Sequence, residues 1–223
     1  MRPGAGARRA AGPGGRAACR PGRGQGRAGA LSKLFDASLR NRHGVLCDID
    51  GVVMKGGEAV EGAGEALEFL REQGPLLFVT NNTSMPRRSL AERMTQKTGA
   101  PVAEGDIMTP ALAASTWLRE NPEAQPALLF VEEALKSEFE AVDTVEGGEA
   151  GASGRSCRSI VIGDIGAGWD YATLNEAFRA LMAREPDMPR VKLLALGKSR
   201  FWNNADGLQL DVGPFAAALE YGE

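Results

Sequence analysis

Nine residues, Val45 to Val53, constrain this chain more than any others: Val-Leu-Cys-Asp-Ile-Asp-Gly-Val-Val sets two carboxylates at the end of an apolar, strand-forming run. A carboxylate withdrawn from water is costly unless a partner, a proton or a metal compensates it. On a continuing strand Asp48 and Asp50 share one face, with Cα atoms about 7 Å apart. Gly51 then permits a tight turn without a Cβ penalty. Open α/β sheets bind ligands at the carboxyl ends of their strands, where main-chain amides of the next loop can hold an anion. Two acids there suit phosphoryl transfer through a carboxyl phosphate, with Asp48 attacking phosphorus and Asp50 protonating the leaving oxygen and later activating water. Asp-Ile-Asp-Gly also reads as a plain Asp-Gly turn capped by Asp50, so a second feature has to decide.

The second feature is Leu76 to Ser84, Leu-Leu-Phe-Val-Thr-Asn-Asn-Thr-Ser, an apolar run that ends at Thr80. Its hydroxyl and the amides around Asn81 and Asn82 suit the oxygens of a phosphate. Thr80 lies 32 residues beyond Asp48, the length of one strand-helix-strand unit. A right-handed crossover therefore sets the two strand ends side by side.

Together these segments resemble the haloacid dehalogenase superfamily, whose first motif is Asp-x-Asp-Gly-(Val/Thr) and whose second is a Thr or Ser ending the next hydrophobic strand. The short spacing and Val-Thr-Asn-Asn-Thr-Ser are similar to its subfamily IIA, which carries a large α/β cap after the second motif. Within it the resemblance is to the phospholysine phosphohistidine inorganic pyrophosphate phosphatase group, and Ser199 to Tyr221 resembles the end of that group's cap. The implied fold is α/β: a three-layer Rossmann-like parallel sheet core, incomplete here, with an inserted α/β cap domain. Residues 44–122 are expected to form the N-terminal part of the core and 123–223 the cap.

The resemblance implies a phosphatase acting on a small phosphorylated molecule, a phosphoamino acid or pyrophosphate, with Asp48 as nucleophile and Asp50 as acid/base. It further implies Mg2+ on the Asp48 carboxylate and the Asp50 main-chain carbonyl, and phosphate held by Gly51, Thr80, Asn81 and Asn82. Relatives return from the cap to the core with a Gly-Lys-Pro lysine and further acidic metal ligands, which this sequence does not show. The expectation is a truncated chain, with a second reading as an inactive fragment that binds a partner or forms a homodimer.

Two segments invite the missing motifs. Gly163-Asp164 suggests the last acidic motif, but the next acid, Asp170, follows after five residues, and the surrounding segment resembles a cap strand and helix. It is therefore set aside. Lys198, in Gly197-Lys198-Ser199, precedes the cap hairpin and not a return to the core; a contact from the cap to substrate is the role it could keep.

Charge is divided along the chain. The net charge of −3 combines +8 over residues 1–35, which hold no acid, with −11 over the rest. An acid-free, Arg-rich leader reads first as a chloroplast or mitochondrial transit peptide. It reads second as a low-complexity tail or an upstream extension of the reading frame, and last as a nucleic-acid-binding tail. Without targeting, the expected location is cytoplasmic. Residues 1–43 are too poor in apolar side chains to pack a core and are expected to be disordered. No run of eighteen apolar residues suggests a membrane span. Cys19, Cys47 and Cys157 are odd in number and lack metal-ligand spacing, which predicts free thiols. His43, the single histidine, precedes the first strand and is expected on the surface or at an edge.

Along the rest, the pattern predicts a short helix at Leu31–Leu39 and a crossover helix with Val60, Ala63, Leu67 and Leu70 inward and Gly74 at its end. A turn is expected at Lys55–Gly57. A helix from Pro86 to Gly99 should bury Leu90 and Met94, with Arg87 and Arg88 as solvated charges or, second, contacts to an anionic substrate. Another helix opens at Thr109-Pro110 and closes at Asn121-Pro122. Strands are expected at Ala127–Val131, Ser159–Gly163 and Val191–Leu196, with a short helix at Glu133–Ala141 and a mobile loop at Glu146–Arg155. A helix at Thr173–Met182, a hairpin turning at Asp206-Gly207 and a last helix at Phe215–Tyr221 complete the reading. Trp202, Asn203 and Asn204 are candidates for substrate contact.

Overall fold

The computed structural model describes residues 44–147, 156–183, 189–204 and 207–222. The basic leader, the Leu31–Leu39 helix, Cys19, His43, the Asn204 side chain and most of the Glu146–Arg155 loop lie outside the described residues.

Two parallel sheets organise these residues. The first has the order β1-β4-β5, built from β1 (Val45–Asp48), β4 (Leu76–Val79) and β5 (Ile107–Met108). The crossover from β1 to β4 passes through a small hairpin, β2 (Met54–Lys55) and β3 (Glu58–Ala59), and then α1 (Ala63–Gln73). The hairpin turns on Gly56 and Gly57, at φ +58° and +87°. Two consecutive left-handed residues form a two-residue turn that β-branched or bulky side chains avoid, as the turn reading of Lys55–Gly57 expects. Val60 lies ahead of α1 and not on its buried stripe, because its amide donates to the carbonyl of Val53 and closes the hairpin.

After β4, α2 (Arg87–Thr98) buries Leu90, Ala91 and Met94 and stops at Gly99, whose φ of +74° is a left-handed helix end. Leu67 of α1, Leu90 and Met94 pack on Phe78, Leu76 and Ile107, which point to one face of the first sheet. Strand alternation puts Leu46, Asp48, Val79 and Met108 on the other. Among the described residues nothing covers that face, and Leu46 is 74% exposed. Contrary to what their place at the end of an apolar run suggests, the two acids are therefore not withdrawn from water; Asp48 and Asp50 are exposed to solvent.

α1 and α2 meet closely at Gly64, where a Cβ would run into the carbonyl oxygen of Thr98. Backbone cannot yield as a flexible side chain does. Gly64→Ala is expected to cost about 1–3 kcal/mol, read as a lower urea midpoint with an unchanged m-value.

The second sheet has the order β7-β6-β8-β9, all parallel. It comprises β6 (Ala127–Phe130), β7 (Thr144–Val145), β8 (Ser159–Ile162) and β9 (Lys192–Ala195). β8 is buried along its whole length, the continuous apolar run that a parallel sheet covered on both faces requires. Ile160 and Ile162 face α4 (Tyr171–Met182) and α5 (Val212–Gly222) through Ala177, Leu181, Ala216 and Leu219. Val161 faces α3 (Pro110–Glu120) and the 3-10 helix Glu133–Phe139 through Ala111, Leu118, Leu135 and Phe139. Helix, sheet and helix form three layers.

The caps explain where these helices begin. Thr109 accepts the amide of Leu112 and Pro110 opens α3, as the sequence indicates. α4 begins two residues before the expected Thr173, because Asp170 accepts the Thr173 amide at 2.8 Å, and those hydrogen bonds hold the Asp170 carboxyl below its ordinary range. α5 begins at Val212 because Asp211 accepts the Val212 amide at 2.7 Å. Before α5 the strands β10 (Phe201–Asn204) and β11 (Gly207–Leu210) pair as an antiparallel hairpin, and Asp206 of the expected turn lies outside the described residues. Among the described residues no helix is long and apolar enough to cross a membrane.

Arg88 is a solvated helix charge as expected, but Arg87 is not. Arg88 pairs with Glu92 one turn on, whereas Arg87 joins the two parts of the structure. The Arg87 amide and Nε donate to the two carboxylate oxygens of Glu138, each at 2.8 Å, and its guanidinium also reaches Glu104 at 3.0 Å. Pro86, the residue ahead of α2, supplies no side-chain cap. Glu138 therefore caps α2 from a separate element.

Candidate active site

Parallel register sets the strand ends together. Asp48 stands opposite Val79, so Thr80 follows directly at the carboxyl end of β4. The turn after Asp48 is tied down by Ile49, whose carbonyl accepts the amides of Val53 and Met54 at 2.9 Å each. Gly51, at φ +82°, makes that reversal available, and its amide donates to the Met54 carbonyl at 2.6 Å. That amide is thus engaged within the turn and not directed at an anion.

The Thr80 hydroxyl donates to Asp50 Oδ2 at 3.2 Å and accepts the Asn82 amide at 3.0 Å. Thr80 is therefore bonded to Asp50 and not to Asp48, whose Oδ1 instead accepts the Ile49 amide at 2.9 Å. Asn82 Oδ1 accepts the amides of Ser84 and Met85 at 3.2 and 2.8 Å. This side chain shapes the loop 81–85 into a turn.

Asp50, Asn81 and Asn82 line a cavity of about 420 Å3, together with Thr83 and Ser84 from the same loop. The remaining lining residues come from other elements: Asp164 after β8 of the second sheet, Trp202 and Asn203 of β10 in a separate hairpin, and Asp211 ahead of α5. Asp48 is exposed and is not among the residues that line this cavity. A groove of about 450 Å3 on α2, around Arg88, Glu92 and Gln96, lies apart from the acid pair.

Lys198 does not reach the cavity; it is exposed and ion-paired with Glu220 at 2.7 Å. Asp170 serves as a helix cap, which supports setting aside Gly163-Asp164…Asp170 as a metal motif. Asp164 itself faces the cavity, held by the amide of Gly166 at 2.9 Å. The neighbouring carbonyl of Gly163 accepts the indole N–H of Trp169 at 2.9 Å, and that ring stacks between Phe130 and Phe215. Thr83, Ser84 and Asp211 were not singled out by the sequence. Thr83 and Ser84 extend a recognised loop, whereas Asp211 carries no local signal beyond its place before a helix.

Cys47 and Cys157 are free thiols. Burial raises the pKa of both, and Asp48 adds to the rise at Cys47. Neither has the low-pKa setting of a nucleophilic cysteine.

Among the described residues no three acidic, His or Cys groups converge on one point. Mg2+ is commonly held by one or two carboxylates, with water completing its shell. The exposed Asp48 carboxylate, with one oxygen outside the Ile49 hydrogen bond, fits such a hydrated ion.

Residues 45–145 match the family described as haloacid dehalogenase-like hydrolase. Over 188 residues the chain is 38% identical to the phospholysine phosphohistidine inorganic pyrophosphate phosphatase of Bos taurus, covering 82% of this chain and 63% of that protein. The chain thus spans less than two thirds of that relative's length. Among solved structures it resembles a p-nitrophenyl phosphatase from Archaeoglobus fulgidus, with a TM-score of 0.67 and 24% identity, covering 80% of this chain and 64% of that one. That likeness bears on the fold alone. A glycerol phosphate phosphatase from Mycobacterium tuberculosis, solved in complex with magnesium, matches with a TM-score of 0.66 and 25% identity over 80% of this chain and 51% of that one.

Proposed function

We propose that the protein, whose residues 45–145 match the haloacid dehalogenase-like hydrolase family, is a phosphatase of small phosphorylated molecules that works through a phosphoryl group carried on Asp48. A carboxylate oxygen of Asp48 attacks phosphorus while the bond from phosphorus to the leaving oxygen breaks, and Asp50 gives that oxygen its proton. Asp50 then takes a proton from water, whose oxygen attacks phosphorus; orthophosphate leaves and the Asp48 carboxylate is restored. Thr80 orients Asp50 through its 3.2 Å hydrogen bond, and the loop at Asn81 and Asn82 faces the incoming phosphoryl group. Mg2+, on the Asp48 carboxylate and the Asp50 carbonyl, would supply positive charge against the phosphoryl oxygens. The division into core (44–122) and cap (123–223) belongs to the same proposal, the cap supplying Asp164, Trp202, Asn203 and Asp211.

The observation that carries this reading is that Asp48 and Thr80 stand at the ends of two adjacent parallel strands, with Asp50 bonded to Thr80 and lining a cavity. The family match and the phosphatases among its relatives favour it over a binding module.

The leaving group tests the role of Asp50. Asp50→Asn keeps an acceptor for Thr80 but has no proton of the required acidity. Hydrolysis of an alkyl phosphate is expected to fall by roughly 10^2–10^4-fold. Loss with p-nitrophenyl phosphate, whose leaving group needs little protonation, should be much smaller. Equal losses on both substrates would refute the acid role.

A further inference from the structure

We propose that the cavity selects phosphorylated molecules whose non-transferred part carries a positive charge, such as an ammonium group, and disfavours pyrophosphate; this rests on the reading of Asp48 and Asp50 as the phosphoryl end. From Asp50 the cavity extends to Asp164 and Asp211, and neither Lys nor Arg is among its lining residues. Each of these two carboxylates gives one oxygen to a main-chain amide, Gly166 at 2.9 Å and Val212 at 2.7 Å. Both are thereby held in place. Neither has a cationic partner among the described residues, whereas most other paired acids lie on outward surfaces.

A second, independent feature marks the same cavity as a place for a ligand. Thr83 is only 6% exposed, and the methyl of its side chain lies against Gly197, where a Cβ would come within 3.5 Å of it. Thr83 lines the cavity. Its hydroxyl has no hydrogen-bond partner among the described residues and is not fully buried, so it is open for a ligand to donate to it or accept from it.

The kind of ligand follows from the spacing of charge. The acids do not converge closely enough to enclose a metal ion, so they form an extended negative wall. The indole of Trp202, part of that wall, offers a face that attracts organic cations. A pyrophosphate leaving group would bring further negative charge against Asp164 and Asp211 in a partly desolvated space, where like charges repel more than in water.

Phosphoethanolamine and ethyl phosphate, close in size and differing by one ammonium, test this on the full chain in magnesium-containing buffer, with tryptophan fluorescence as the readout. Phosphoethanolamine is expected to bind about tenfold more tightly at low salt, with the margin shrinking as salt is raised. Pyrophosphate should bind more weakly than either. In the Asp164→Asn/Asp211→Asn variant, whose amides still accept from Gly166 and Val212, the preference should contract to within about twofold. Thr83→Val should weaken phosphoethanolamine by about fivefold. Ethyl phosphate binding without any preference, or a preference that survives the double variant, overturns the selectivity while leaving the phosphoryl site standing. Failure of all three probes to bind overturns both.

Discussion

Asp48→Asn is expected to lower turnover of p-nitrophenyl phosphate by roughly a thousandfold or more, without loss of fold. An amide oxygen cannot serve as the nucleophile, yet it can still accept the Ile49 amide that Asp48 accepts at 2.9 Å, so the turn should persist. Asp48 is exposed and pairs with no cation among the described residues, which leaves no buried charge behind when it is replaced. Circular dichroism and the unfolding midpoint should match those of the parent chain. A variant that keeps more than about a tenth of the turnover would place the nucleophile elsewhere.

The largest effect on stability is expected at Glu138. Its side chain is 4% exposed, and it accepts twice, from the Arg87 amide and from Arg87 Nε, while the same guanidinium also pairs with Glu104. Glu138→Ala leaves the first amide of α2 uncapped and a partly buried guanidinium with only the more exposed Glu104. A cost of about 2–4 kcal/mol follows, below the upper range for a fully buried pair because Arg87 keeps that second partner. Glu138→Gln, which can still accept the amide, should recover roughly half of it. Urea denaturation reads both values; equal midpoints for the parent and Glu138→Ala would show that the contact contributes nothing.

How much of this was legible in the sequence depends on how local each feature is. Strands β1, β4, β6, β8 and β9 stand where their apolar runs lie, and Gly99, Thr109 and Pro110 mark helix ends by the local rules of left-handed closure and hydroxyl capping. Those signals span a few residues. The Arg87–Glu138 contact joins residues fifty-one apart, and nothing in either neighbourhood distinguishes a helix cap supplied in trans from a solvated charge. Thr83, Asp164 and Asp211 meet in one cavity only because the loops after β4 and β8 and the residue ahead of α5 are brought together in the fold. Gly163-Asp164 attracted notice as a metal motif that was set aside; its place on the cavity wall is a fact of packing. The exposure of Asp48 was also beyond local reading, since an apolar run shows that a strand can be covered and not which face is.

The central claim is that Asp48 takes the phosphoryl group onto itself. It is tested most directly by acid-quenching the protein during turnover of an aryl phosphate and locating the phosphoryl group by peptide mass spectrometry. The expected result is one acid-stable, alkali- and hydroxylamine-labile phosphoryl group on the peptide containing Val45 to Val53, assigned to Asp48 and absent from Asp48→Asn. Turnover with that peptide unmodified, or with the group on Asp50 or any other residue, would contradict the account.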